Sequence, residues 1–189
     1  MLDFLCVLAV KFPMIIWLTG LSGAGKSTVA AGLLEHLRES GLTPLQIDGD
    51  LLRQELCRDL GFDPADRQEN IRRAGAIALL AARSGIISVC SLISPMRSER
   101  EAIRARAQER GVPFLEVYVS TPLEVCEQRD PKGLYRKARA GVIREFTGID
   151  SPYEPPLAPE LVIPAERVSV EDSIMLLKEA VDRYRASTV

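Results

Sequence analysis

Short apolar runs punctuate the chain at 14–18 (MIIWL), 44–47 (PLQI), 86–93 (IISVCSLI), 114–119 (FLEVYV) and 161–163 (LVI). They are rich in β-branched residues and lack strict polar alternation, which predicts strands of a parallel sheet buried on both faces. Between them lie charged, amphipathic stretches that predict helices over 27–40, 50–60, 66–83, 97–110 and 122–130. A last helix starts near Val170 behind a capping-box-like SVED and sets Ile174, Leu177 and Val181 on one face. Strand–helix alternation over the whole length implies an α/β fold of three layers around a mainly parallel sheet. No repeat or interdomain linker interrupts residues 1–189, so a single domain is expected. The proline-rich piece 149–160 (IDSPYEPPLAPE) reads as a stiff surface connection.

Composition narrows the function classes. An apolar fraction of 47% marks a globular chain, and a formal charge of −2 argues against a surface built for nucleic acid. Cys6, Cys57, Cys90 and Cys126 are widely spaced, which suits buried thiols in a reducing cytoplasm rather than a disulfide framework. With His36 as the single histidine, a histidine-based zinc site is not expected. The apolar start, 1–13, is far shorter than the ~20 residues of a membrane span, and carries Asp3 where a secretory signal would hold lysines. It is expected to form an extra strand or a packing arm, with no membrane partner.

The most specific signal is GLSGAGKST, in which Gly20, Leu21, Ser22, Gly23, Ala24, Gly25, Lys26, Ser27 and Thr28 satisfy the P-loop pattern. It follows a predicted strand and opens a predicted helix, the context in which that pattern binds phosphate. Backbone N–H groups and the helix N-terminus would cradle the phosphates of ATP. Lys26 would reach the β- and γ-oxygens, and Ser27 would ligate Mg²⁺. No guanine-reading N-K-x-D follows, which favours ATP over GTP. The basic stretch 129–144 holds six basic residues against one acid, and its glycines fit a lid closing over polyanions, with lid and connection together spanning 129–156.

Downstream, DGDLLRQEL, DLGFDPADRQENIRR, LISPMRSER, RDPKGLYRKARAG and FTGIDSPYEPP occur in this order. Together with the P-loop they closely resemble the adenylylsulfate kinase family, over about residues 15–163. The resemblance implies transfer of the ATP γ-phosphoryl group to the 3′-hydroxyl of adenosine 5′-phosphosulfate (APS). It also implies Mg²⁺ as the accompanying cation and a homodimer. Glu145 departs from the small or amide residue common before the phenylalanine in this family.

The residues themselves supply an acceptor side. At about 100° per residue along a helix, Arg67 falls in line with Ile71, Ala74 and Ala78, and Asn70 flanks that face. An arginine heading a buried face needs an anion, whereas Arg72 and Arg73 point to solvent. Asp50, past a strand's carboxyl end and three residues before Arg53, either deprotonates the acceptor or holds a Mg²⁺-bound water; alternatively it caps the next helix. Arg53 would face the same pocket. Phe62 either stacks on adenine or plugs its loop. Ser94 either caps the helix near Arg97 or meets substrate with Ile93, and a catalytic role for its hydroxyl stays in the set. The resemblance adds Lys132 for the phosphosulfate and Phe146 for the second adenine face. Arg129 and Arg139 are candidates for neutralising the transferred group. The rivals are a P-loop kinase for another small acceptor, such as a sugar acid or a nucleoside monophosphate, and an ATP-gated switch without an acceptor.

Overall fold

The structure is a computed structural model and describes residues 12–186; Cys6 and residues 1–11 of the expected N-terminal arm lie outside them. Five strands, β1 (Ile15–Thr19), β2 (Leu45–Asp48), β3 (Ser88–Ser91), β4 (Phe114–Val119) and β5 (Leu161–Ile163), form one sheet in the order β2-β3-β1-β4-β5. Every pairing is parallel, with Ile15 opposite both Ser88 and Phe114. All five strands therefore lie where the apolar runs predict them, with β3 trimmed to four residues although the flanking Ile87 and Leu92 remain buried.

Alternate residues of β1 supply the two cores, as a strand's period of two requires. Ile16 and Leu18 face α1 (Lys26–Glu39) and, beyond it, α7 (Val170–Ala186), packing with Leu33, Leu37, Leu177 and Val181. Ile15 and Trp17 face α3 (Pro64–Arg83) and α4 (Arg97–Gln108), packing with Ile71, Ala78 and Ile103. Trp17 and Phe114 stack there at 6.2 Å. Each fully buried aliphatic side chain contributes about 1.5–3 kcal/mol, so the sheet's two apolar faces drive the three-layer arrangement. Among the described residues no helix is long and apolar enough to cross a membrane.

Close helix packing depends on Gly32, where an added Cβ would lie 2.4 Å from Ile174 across the α1–α7 contact. Gly32→Val is expected to lower stability by about 1–3 kcal/mol, the cost of overpacking a filled site. A urea midpoint equal to that of the wild type would refute this.

The remaining helices differ from the expected boundaries. α2 spans only Gly49–Glu55 instead of 50–60, and α3 begins at Pro64, two residues early, behind Asp63, whose carboxylate accepts from Asp66 N. α5 spans Leu123–Arg129. The lid segment contains a helix, α6 (Leu134–Arg139), that the charge run concealed: Tyr135 and Ala138 are its only buried positions. The cap of α7 is as expected, with Ser169 Oγ accepting from Asp172 N at 3.0 Å. His36 lies on α1 beside Asp182 of α7.

Candidate active site

β1 and β4 are neighbours whose chains leave toward opposite sheet edges, so a crevice opens beyond their carboxyl ends. The loop from Gly20 to Ser27 occupies that position. Gly20 adopts φ 150°, and a Cβ there would lie 2.5 Å from Val119 O. Gly25 caps α1 in the left-handed region at φ 107°, with no side-chain cap bond. The first-turn N–H groups of α1 are thus left for an anion. Tyr135 of α6 braces the loop, donating from its hydroxyl to Ser22 O at 2.9 Å, and Thr121 Oγ1 donates to Ala24 O at 2.8 Å. Leu21 supplies an acceptor, and Thr28 is exposed at the helix start.

Lys26 is 8% exposed and curls back to donate to Gly20 O at 2.9 Å and Leu21 O at 2.7 Å. Burial pushes its ammonium down to about 8. A polyphosphate beside it restores the charged form. Binding of an ATP analogue at pH 8 is therefore expected to take up a fraction of a proton per site. Calorimetry in buffers of different ionisation enthalpy measures this; proton release would contradict it.

Ser27 Oγ donates to Asp48 Oδ2 at 2.9 Å, and Ser91 Oγ donates to the same oxygen at 2.8 Å. Burial opposes the charge on Asp48, but bonds from Ser91, Ser27 and the Asp50 N–H hold its carboxyl below the ordinary value. A hydroxyl and an ionised carboxylate at the phosphate loop suit a hard, oxygen-seeking cation. Asp48 is absent from the residues expected on sequence grounds, although its position at the carboxyl end of β2 is a signal that marks it.

Asp48, not Asp50, caps α2, accepting from Asp50 N at 2.9 Å. This corrects the capping alternative for Asp50. The exposed Asp50 carboxylate instead pairs with Lys132 Nζ from the lid, across 82 residues of chain.

Beside this pair sit the other acceptor-side candidates. Arg53 donates to Gly61 O at 2.6 Å and lays its guanidinium 4.3 Å above the Phe62 ring. Burial, then the neighbouring Arg67, lowers the Arg53 guanidinium, while Asp66 and Asp50 oppose the shift. Arg67 is half-buried and donates to Thr147 Oγ1 at 3.2 Å, and its charge helps to hold the Asp150 carboxyl below the ordinary value. Asn70 is 5% exposed, and its Oδ1 has no hydrogen-bond partner. Such a buried orphan acceptor costs about 1–3 kcal/mol unless something donates to it.

Several expectations need revision. Phe62 is 66% exposed, but Phe146 is 8% exposed and packs edge-on against Tyr135 at 5.0 Å. Arg53 lies over one face of the Phe62 ring, and Phe146 joins the core. Ser94 does not cap α4, whose cap position is Met96, and its 1% exposed hydroxyl accepts from Trp17 Nε1 at 3.0 Å. A hydroxyl buried in this way is poorly placed for chemistry, so Ser94 leaves the catalytic set. Ile93 offers its carbonyl inward, accepting from Thr19 Oγ1 at 2.7 Å. Arg72 is exposed and pairs with Glu69, but Arg73 is no solvated bystander: it clamps Asp59 at 2.7 Å and Glu69 at 2.9 Å. Arg139 is neutralised by Glu127 at 2.6 Å, and Arg129 donates to Ala165 O at 2.9 Å.

The family model for adenylylsulphate kinase matches residues 12–164, which carry every element of this site. The chain belongs to the adenylylsulphate kinase family. It is accordingly a kinase. Adenylyl-sulfate kinase of Vibrio vulnificus (strain YJ016) is 54% identical over 167 residues, 88% of this chain and 80% of the relative. That of Synechococcus sp. (strain JA-3-3Ab) is 52% identical over 165 residues, 87% of this chain and 92% of the relative. Among solved structures, the Mycobacterium tuberculosis APS kinase in complex with AMPPNP and APS superposes with a TM-score of 0.85 at 44% identity. It covers 89% of this chain and 97% of that one. The P-loop, the Asp50–Lys132 pair and the arginine cluster all fall inside the region that these family members share.

Proposed function

We propose that the chain transfers the γ-phosphoryl group of ATP to the 3′-hydroxyl of APS, giving 3′-phosphoadenosine 5′-phosphosulfate and ADP. The contact between Asp50 and Lys132 carries this reading, because it sets a carboxylate and a lid ammonium side by side next to the phosphate loop. Lys26 and the first turn of α1 hold the transferring phosphates, Lys26 exchanging two carbonyl partners for phosphoryl oxygens. Ser27 and Asp48 would hold Mg²⁺, which neutralises charge on the β- and γ-phosphates when ATP is bound. The APS phosphosulfate takes Lys132 away from Asp50. The freed carboxylate then orients the 3′-hydroxyl and accepts its proton. Arg53 and Arg67 meet the 5′ anion, with Arg53 leaving the Phe62 ring so that adenine takes its place. Phe146 bounds the pocket on the other side, and Asn70 Oδ1 receives a donor from the nucleoside. Ile93 lines the acceptor side with Ser94 as its buried support.

The whole chain acts as one domain, cytoplasmic and homodimeric in this reading. The free, buried thiols of Cys57, Cys90 and Cys126 support a reducing compartment. ADP release measured with APS, AMP and gluconate offered separately tests the proposal. APS is expected to stimulate turnover at least about a hundredfold more than AMP, since AMP leaves Lys132 and the arginines without the sulfate. Stimulation by AMP or gluconate equal to that by APS would overturn it.

A further inference from the structure

The connection after the acceptor pocket, expected to be a stiff surface connection, is bolted to the strand that leads into the phosphate loop. Thr19, fully buried at the end of β1, has one hydroxyl proton, and it goes to Ile93 O at 2.7 Å. The Tyr153 hydroxyl, 3.0 Å away, therefore donates to Thr19 Oγ1. Arg100, 1% exposed, completes the fastening. Its Nε meets Glu116 at 2.7 Å, while its terminal nitrogens donate to Ser94 O at 2.6 Å and Glu154 O at 2.7 Å. Glu154 N donates to Pro95 O at 2.9 Å, and the Glu154 carboxylate accepts from Arg97 N at 2.8 Å. Ser94, bent to φ 40°, is held in that left-handed conformation from both sides by Trp17 and Arg100.

What this fastening carries is the acceptor wall. Asp150 accepts from Glu145 N at 2.7 Å and Phe146 N at 2.5 Å, and Ser151 N returns to Phe146 O at 3.2 Å. Residues 145–151 thus form a self-tied knot bearing Phe146 and Thr147, the latter being the partner of Arg67. Two residues later the chain reaches Tyr153. A shift of that knot by 1 Å would misplace the acceptor relative to the γ-phosphate.

We propose that Tyr153, backed by Arg100, is a positioning residue that sets the acceptor wall at a fixed distance from the phosphate loop beginning at Gly20. This rests on the acceptor reading given under Proposed function. Tyr153→Phe tests it, because the ring keeps its stack on Tyr118 at 6.0 Å and loses only the hydroxyl. The KM for APS is expected to rise about fivefold or more, the scale of one lost hydrogen bond, and kcat to fall, while the KM for ATP stays within about twofold. Thr19→Val should give the same split, and combining the two variants should add little to either alone. Unchanged kinetic constants with a lowered melting temperature, or equal rises in both KM values, would overturn the proposal. Wild-type protein that releases no ADP in response to APS would instead bring down the parent reading.

Discussion

Asp50→Asn is expected to lower kcat for APS phosphorylation by about two to four orders of magnitude, the range for losing a positioned general base. The substitution keeps the size and shape of the side chain, and it spares the helix cap because Asp48 performs that task. The KM for APS should change little, since the proposed function gives the grip on the anion to Lys132, Arg53 and Arg67. Removing Asp50 also releases Lys132 from its ion pair. The ammonium is then free before substrate arrives, so APS binding should be equal or slightly tighter. Initial rates of ADP release across APS concentrations measure both quantities. A kcat within threefold of wild type would remove Asp50 from the chemistry. A large KM increase with unchanged kcat would make it a binding group instead.

Lys26→Met separates catalysis from stability. Removing a preorganised cation from the developing charge is expected to cost about two to three orders of magnitude in kcat. The fold should not suffer. Burial lowers this ammonium to about 8 from an ordinary 10.5, so its charged form is disfavoured in the folded chain despite two carbonyl acceptors. With the folded value below the unfolded one, the unfolded state binds more protons between pH 8 and 10.5. Wild-type stability therefore gains from this group as pH rises through that window and carries its full penalty below it. At pH 7 the methionine variant should melt at or above the wild-type temperature, while being almost inactive. Such an opposition is usual where function needs a charge that folding would exclude. A melting temperature several degrees lower would mean that the ammonium supports the ligand-free loop.

Legibility followed the range of the interactions concerned. All five strands and the long helices were readable because burial on two faces, or on one helical stripe, leaves a local trace in residue type. The P-loop was readable because its glycines answer a backbone demand within eight residues. α6 was not, because its buried positions, Tyr135 and Ala138, are outnumbered by arginines and lysines facing solvent. The short α2 was overextended, since the turn after Glu55 still carries helix-forming residues. In DRQENIRR, the helical phase placed Arg67 and Asn70 correctly toward the buried face. It could not anticipate that Asp59, distant along the chain, would capture Arg73.

The order of residues alone was enough to determine the parallel α/β architecture, the phosphate-loop motif and the family to which the chain belongs. Periodicity and contiguous motifs are properties of neighbours in the chain. Only the folded molecule decided which carboxylate caps α2, that Lys132 meets Asp50, that the Ser94 hydroxyl is buried against Trp17, and that the Tyr153 hydroxyl meets Thr19. Each of these joins groups tens of residues apart or more, or depends on which of two nearby carboxylates reaches the helix end. Such choices are made when the layers pack, by the competition of buried polar atoms for the few partners within reach.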